Sequence, residues 1–351
     1  MQQPHRLNKA AKVFFLFFAF QQRIEMIITQ TPFRVSFVGG GSDMAAFYSR
    51  YPGAVLSTTI NRYMYISSHR FFEPDKIRAK YAKTETVSRA EELEHPIIRA
   101  VLEKLHIRGG IEVSSIADVP SGTGMGSSSS FTVGLLHNLY TWLGYTATKE
   151  ELASGACEIE IDLLREPIGK QDQYAAAYGG FNIFRFGMNG EVHVEPIALT
   201  TEVENALQGR LHLFYTGNQR SASAILAEQS RNITAEDKFQ NLKAMTALVD
   251  PLRDCLLSGN LDDFGRILHE NWMLKQQLSG AISTPEIDEA YRSALAHGAL
   301  GGKLLGAGGG GFLLFYCPEG TATRVKQALH HFRYFEFEFE HEGSKLIYSS
   351  K

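Results

Sequence analysis

Cysteine is scarce in this chain: three in 351 residues, Cys157, Cys255 and Cys317, each far from the next. That scarcity excludes a disulfide framework, and the spacing fits no zinc site, so reduced core thiols are expected. Net charge is also small, a formal −3 from 35 basic and 38 acidic residues, which argues against a nucleic-acid surface. There is no internal repeat, and no low-complexity tract outside the glycine turns. The strongest apolar run, Val13 to Phe20, follows Arg6, Lys9 and Lys12. It is too short to span a bilayer, and no small-x-small cleavage site follows it. Residues 1–25 read as a leader or disordered extension, with Met26 a better start for the folded part. Two common nucleotide signatures are missing as well. Gly169-Lys170 is followed by Gln171 and Gly302-Lys303 by Leu304, so there is no Gly-x-x-x-x-Gly-Lys-Ser/Thr loop. No Gly-x-Gly-x-x-Gly with an acid about twenty residues on is present either.

What the chain does have is Pro120-Ser121-Gly122-Thr123-Gly124-Met125-Gly126-Ser127-Ser128-Ser129-Ser130, running into an apolar stretch from Phe131 to Leu143. Alternate glycines let backbone N–H groups turn toward a common point. A helix starting near Ser127 would add unpaired N–H groups and the positive end of its dipole. The spacing therefore predicts an anion-binding loop rather than a flexible linker, because a helical apolar face follows at once.

At 44% hydrophobic content the chain can bury a large core, and its length suits two domains. Alternation predicts strands at 27–38, 54–67, 111–115, 181–186 and 192–197, the last two joined by a hairpin at Asn189-Gly190. Helices are expected at 95–104, 127–143, 149–164 and 171–177. Beyond about residue 200 the pattern changes to a strand at 210–215, long helical stretches, and strands at 312–316 and 335–339. This suggests domains at 26–200 and 201–351.

The glycine–serine run resembles Pro-x-x-x-Gly-Leu-Gly-Ser-Ser, the phosphate loop of the GHMP kinases, with Met125 at the Leu position. Two further runs resemble that family in the right order. Thr31-Pro32-Phe33-Arg34-Val35-Ser36-Phe37-Val38-Gly39-Gly40-Gly41-Ser42-Asp43 is similar to its first motif, a strand entering the active site. Lys303-Leu304-Leu305-Gly306-Ala307-Gly308-Gly309-Gly310-Gly311-Phe312 is similar to its third, a glycine turn between a helix and a strand. The resemblance spans about residues 27–348. It implies an α+β fold: an N-terminal domain like ribosomal protein S5 domain 2 and a ferredoxin-like C-terminal domain, with the active site between them. It also implies a cytoplasmic enzyme using ATP and Mg²⁺ on a small-molecule sugar phosphate, with no nucleic-acid or membrane partner. Oligomeric state is left open.

Roles follow position by position from the resemblance. Asp172, in Gly169-Lys170-Gln171-Asp172-Gln173-Tyr174, stands where galactokinases carry a catalytic aspartate; by itself it reads better as a helix N-terminal Asp, and Gly169, Gln173 and Gly179-Gly180 around it favour catalysis. Arg34 matches the basic residue of the first motif, and beside Asp172 it would favour the alkoxide; its alternative is a salt bridge at the domain seam. Pro120, Gly122, Gly124, Met125, Gly126, Ser127, Ser128 and Ser129 would bind the nucleotide. Glu160, twelve residues before Asp172, resembles the family's metal-ligating glutamate and with Ser128 would hold Mg²⁺. Glu158 and Asp162 compete with it from other faces of the same helix.

For the acceptor, the galactokinase Gly-Glu-His-Thr-Asp becomes Gly39-Gly40-Gly41-Ser42-Asp43. Asp43 is kept for hydroxyl hydrogen bonds, while Gly40 and Gly41 make room. With Ser57-Thr58-Thr59-Ile60 and the segment around Asp172, this resembles the branch that phosphorylates C1 of D-glycero-α-D-manno-heptose 7-phosphate, on the route to GDP-heptose and surface glycans. Lys170 and Arg220 are the candidates for its terminal phosphate, although Arg220 also reads as part of a plain turn before a capped helix. Gly308 and Gly309 would border the substrate. The alternatives are an anomeric kinase of a neutral sugar (fucose or galactose type) and a non-catalytic sugar and ATP sensor.

Overall fold

The computed structural model describes residues 26–217, 222–233 and 235–350. Its first sheet is organised by β1 (Met26–Val38) and β2 (Gly53–Arg70), antiparallel to each other along nearly their whole length. From Thr31 to Val38 every residue of β1 is buried, so the strand is covered on both faces, with Thr31, Arg34 and Ser36 buried among apolar residues. It ends at Gly39, whose φ is +83° and where a Cβ would stand 1.9 Å from the Ala54 carbonyl oxygen. Only glycine lets the chain leave the strand there.

A short helix α1 (Ala45–Tyr48) follows, then β3 (Ile77–Lys80), β4 (Thr84–Val87), α2 (Pro96–Lys104) and β5 (Ile111–Ala117). β2 pairs antiparallel with β5, which β3 joins in parallel. The next elements are α3 (Ser127–Trp142), α4 (Lys149–Cys157), a π-helical turn (Glu158–Leu163), α5 (Gln171–Tyr178), and the hairpin β6 (Asn182–Phe186) and β7 (Val192–Pro196). The helix expected over 149–164 thus changes to π geometry after Cys157. Widened turns of this kind frequently mark functional sites, and this one keeps the side chains of Ile159 and Glu160 fully buried.

The second half runs α6 (Thr201–Arg210), β8 (Leu211–Tyr215), α7 (Ala222–Asn232), α8 (Glu236–Ala247), α9 (Val249–Ser258), α10 (Leu261–Gln276), α11 (Pro285–Ala296), β9 (Gly301–Leu304), β10 (Phe312–Tyr316), α12 (Ala322–Ala328) and β11 (Arg333–Phe335). These strands form a four-stranded antiparallel sheet in the order β11-β8-β10-β9. A second apolar core, with Phe214, Trp272 and Phe315 fully or almost fully buried, lies against it.

Two sequence expectations need correction here. The glycine run at 306–311 joins two antiparallel strands, β9 and β10, rather than a helix and a strand. Residues 335–339 are not one strand: β11 ends at Phe335 in the second sheet, and β12 (Phe339–Glu340) pairs with β2 in the first. The chain crosses between sheets there, and β13 (Lys345–Ser349) then closes the first sheet on β1. The fold is the α+β two-layer arrangement expected of the family, with nine strands in one sheet and four in the other. Cys157 and Cys317 are buried and Cys255 is half-buried, all three unpaired. Among the described residues no helix is long and apolar enough to cross a membrane.

Candidate active site

The three glycine-bearing segments meet around one cavity of about 260 Å³. Gly122, Gly124 and Gly126 all have positive φ, between 73° and 84°. Gly126 sits at the N-cap of α3 in the left-handed region, and no side chain caps the helix. The first N–H groups of α3 therefore point at the cavity free of side-chain acceptors, which suits a phosphate. The loop is braced from behind by the turn between β9 and β10. A Cβ at Gly124 would stand 2.4 Å from the Leu305 carbonyl oxygen, and one at Gly306 would stand 2.3 Å from the Gly124 Cα. The phosphate loop and the third glycine run touch backbone to backbone.

Arg34, on β1, enters this cavity almost fully buried. Its Nε donates to Asp172 Oδ1 at 2.7 Å and its Nη2 to Asp172 Oδ2 at 2.8 Å, while Nη1 donates to the Gly124 carbonyl at 2.5 Å. Asp172 stands in the first turn of α5 with its side chain 24% exposed, so the carboxylate is both held and reachable. Gly126 faces the pair: a Cβ there would lie 3.2 Å from Asp172 Oδ2.

On the other side of the loop, Ser128 Oγ donates to Glu160 Oε1 at 2.6 Å and Gln173 Nε2 donates to Oε2 at 2.7 Å. Burial lifts the Glu160 carboxyl above its ordinary range, and the hydrogen bonds from Ser128, Ser129 and Gln173 only partly offset that. A hydroxyl and a carboxylate converging at a phosphate loop form an all-oxygen donor set that fits Mg²⁺, which keeps most of its shell for phosphate and water. Among the described residues no cluster of three or more His, Cys, Asp or Glu forms a complete cage. Glu158 is turned to the surface, paired with Lys104 at 2.5 Å.

Asp43 is buried after the Gly39–Gly41 turn. Its carboxylate accepts from the Gly41 N–H at 2.9 Å, the Gln171 N–H at 3.2 Å and Gln171 Nε2 at 3.0 Å. Burial, with the Asp172 charge next, raises its pKa. Gly169 is needed at this contact, since a Cβ there would stand 1.9 Å from Asp43 Oδ2.

The cavity is lined by Arg34, Asp43, Asp172 and Glu160, by Gly40 and Gly41, by Gly122, Gly124 and Gly126, and by Ser127, Ser128 and Ser129. Pro120 and Met125 do not line it. The Pro120 carbonyl accepts from Thr123 Oγ1 at 3.0 Å, and the Met125 carbonyl accepts from the Arg34 N–H at 3.1 Å, so both belong to the scaffold of the loop. Gly308 and Gly309 turn to the segment around Ile282, where the Gly309 N–H donates at 2.9 Å; Gly306 and Ala307 border the cavity instead. Lys170 is drawn away: its Nζ donates to the Gly190 carbonyl at 2.5 Å and lies 5.2 Å over the Tyr48 ring, in a separate open hollow of about 830 Å³. Arg220 lies outside the described residues. Sequence reasoning missed Lys275 and Lys303, two buried lysines whose side chains line the cavity from α10 and β9. A signal existed for the first: Asn271 and Lys275 interrupt the apolar face of α10 formed by Phe264, Leu268 and Trp272.

Comparison with known proteins agrees with this geometry. Residues 91–180 match the GHMP kinases N terminal domain, and residues 252–334 match the GHMP kinases C terminal domain. The chain is 29% identical over 338 residues to the D-glycero-alpha-D-manno-heptose 7-phosphate kinase of Campylobacter jejuni, covering 92% of this chain and 99% of that one. It superposes on the crystal structure of a D-glycero-D-manno-heptose 1-phosphate kinase from Bacteroides thetaiotaomicron with a TM-score of 0.76 and 25% identity, covering 92% of this chain and 99% of the other. Lactococcus lactis galactokinase complexed with galactose shares the fold, with a TM-score of 0.71 at 16% identity, covering 95% and 99% of the two chains. The chain belongs to the GHMP kinases and is an ATP-dependent phosphotransferase with an alcohol group as acceptor.

Proposed function

We propose that this kinase transfers the γ-phosphoryl group of ATP to the anomeric C1 hydroxyl of D-glycero-α-D-manno-heptose 7-phosphate, giving the 1,7-bisphosphate and ADP. Similarity over 99% of the Campylobacter jejuni heptose 7-phosphate kinase supports the substrate. The fork of Arg34 on Asp172 beside the glycine loop supports the chemistry, and is the observation on which the mechanism rests.

In this reading an Asp172 carboxylate oxygen accepts the proton of the C1 hydroxyl. The oxygen then bonds to the γ-phosphorus as the bond to the β–γ bridging oxygen breaks. Arg34 fixes the carboxylate at two points and places positive charge beside the developing alkoxide. The first N–H groups of α3 and the glycine loop receive the phosphates. Ser128 and Glu160 would hold Mg²⁺, which supplies neutralising charge to the phosphate oxygens. Asp43 accepts from sugar hydroxyls, and the absence of side chains at Gly40 and Gly41 leaves room for a long acceptor. The reading includes a division of the chain near residue 200, with residues 339–349 returning to the first sheet, and action in the cytoplasm where ATP is available.

The test is ADP release with heptose 7-phosphate, unphosphorylated heptose, fucose, galactose and mevalonate as acceptors. The heptose phosphate should give the highest specificity constant. Preference for fucose or galactose would replace the reading with that of a neutral-sugar kinase, and ATP binding without turnover on any sugar would favour a sensor.

A further inference from the structure

We propose that the Lys275 ammonium, backed by Lys303 and the Ser36 hydroxyl, is the seat of a second anionic group on the acceptor, a phosphate ester remote from the reacting hydroxyl. This deepens the reading of the acceptor as a sugar phosphate and rests on it.

Lys275 is 6% exposed and Lys303 is 2% exposed. Among the described residues their hydrogen-bond partners are main-chain carbonyls. Lys275 Nζ donates to the Gly306 carbonyl at 2.5 Å and reaches the Leu304 carbonyl at 3.4 Å; Lys303 Nζ donates to the Phe37 carbonyl at 2.8 Å. Among the described residues neither ammonium has a carboxylate within 4.0 Å. Each carries three N–H donors, so donors remain on both. A buried cation without a counter-charge is costly, and the cost is relieved when an anion arrives. Three of the cavity's carboxylates are engaged elsewhere: Asp172 in the Arg34 fork, Asp43 with Gly41 and Gln171, Glu160 with Ser128 and Gln173.

Position assigns these lysines to the acceptor side. Arg34 and Asp43 are charges that act on Lys275, and Lys275 and Arg34 act on Lys303. One turn before Lys275, Asn271 Oδ1 accepts from the Gly39 N–H at 3.3 Å, so this face of α10 lies over the end of β1 and the Gly39–Gly41 turn. Ser36 lines the cavity two residues beyond Arg34, about 7 Å along the strand, and its buried hydroxyl has no partner among the described residues. The buried Asn271 Nδ2 also has none. The spacing from Arg34 to Ser36 along β1 is on the order of the width of a pyranose ring. Lys170, the candidate suggested by sequence, is occupied outside the cavity by Gly190.

Burial, with the neighbouring Arg34, pushes Lys275 down to about 8, so it is still largely protonated at neutral pH. Burial together with Lys275 and Arg34 lowers the Lys303 pKa as well.

The experiment compares kcat/KM for heptose 7-phosphate and for the same heptose without its phosphate, in wild type, Lys275→Met and Lys275→Gln, with KM for ATP measured in parallel. Removing one partner of a buried charge pair weakens binding by roughly thirty-fold or more, so the preference for the phosphorylated sugar should collapse by about that factor, chiefly through KM. Equal losses on both sugars, or a rise in KM for ATP, would assign Lys275 to the fold or to the transferring phosphoryl group and overturn the proposal. An unchanged preference would overturn it too. Wild type supplies an independent check if the variants do not fold. Lys275, which faces Arg34, Asp43 and Lys303, is pushed down to about 8, so kcat/KM for the phosphorylated sugar should fall above about pH 8 relative to heptose. Parallel profiles would contradict the assignment. If wild type prefers unphosphorylated heptose, the substrate reading itself fails, whatever the lysine variants do.

Discussion

Arg34 and Asp172 face each other as a two-point fork, Nε on Oδ1 at 2.7 Å and Nη2 on Oδ2 at 2.8 Å, although 138 residues separate them. The geometry orients one carboxylate lone pair set toward the cavity while the guanidinium occupies the other. Asp172→Asn should therefore retain ATP binding and lower turnover by about a hundred-fold or more, the usual contribution of a positioned base. Arg34→Lys should also fall substantially, because an ammonium is a point donor and cannot reproduce the fork. Single-turnover rates with saturating ATP measure both; a variant Asp172→Asn above a tenth of wild-type rate would remove the residue from the mechanism.

Glu160 carries a trade between stability and function. Its pKa is raised by burial, so its charge is less favourable in the folded protein than in the unfolded chain. For an acid shifted this way, the contribution to stability is greatest below its unfolded value and is lost as pH rises through the folded one. At neutral pH without metal, the buried charge is thus a burden. Glu160→Gln should raise Tm in EDTA at pH 7.5 while raising the Mg²⁺ concentration needed for half-maximal rate. Ser128→Ala should share the second effect only. Glu158→Gln, at the surface beside Lys104, should change neither by much. A metal requirement that moves with Glu158 and not with Glu160 would mean the wrong carboxylate has been chosen.

The contact between the phosphate loop and the third glycine run predicts an unusually position-specific intolerance. Gly124→Ala places a Cβ 2.4 Å from the Leu305 carbonyl oxygen at a φ of +84°. The strain should cost about 1–3 kcal/mol and distort the phosphate loop, so ATP affinity and Tm should fall together. Gly320, which also has positive φ but open space around it, should lose stability only through its backbone conformation. Equal ATP affinity in Gly124→Ala and wild type, by calorimetry, would show that the loop does not need this close approach.

Much of the first half of the site was legible because its signals are local. Strand β1, the glycine loop, the start of α3 at Ser127 and the Asp172 turn are all written in consecutive residues. The errors occur where tertiary pairing decides. Gly301–Leu304 is too short and glycine-rich to announce a strand, so the run after it looked like a turn leaving a helix. The aromatic alternation from Phe335 to Phe339 fits one strand locally, yet its two ends belong to different sheets. Lys170 is next to the catalytic run in sequence, but α5 begins at Gln171 and the ammonium turns back to the hairpin at Gly190. Lys275 and Lys303 come from elements far along the chain, and only packing brings them to Arg34.

The central claim is most directly tested by following the protein, ATP and Mg²⁺ with D-glycero-α-D-manno-heptose 7-phosphate by ³¹P NMR. The account predicts a new anomeric phosphate resonance coupled to H1, growing in step with ADP while the 7-phosphate signal persists. It also predicts a specificity constant higher than for fucose or galactose. A new phosphate at another carbon, or faster phosphorylation of either neutral sugar, would contradict it.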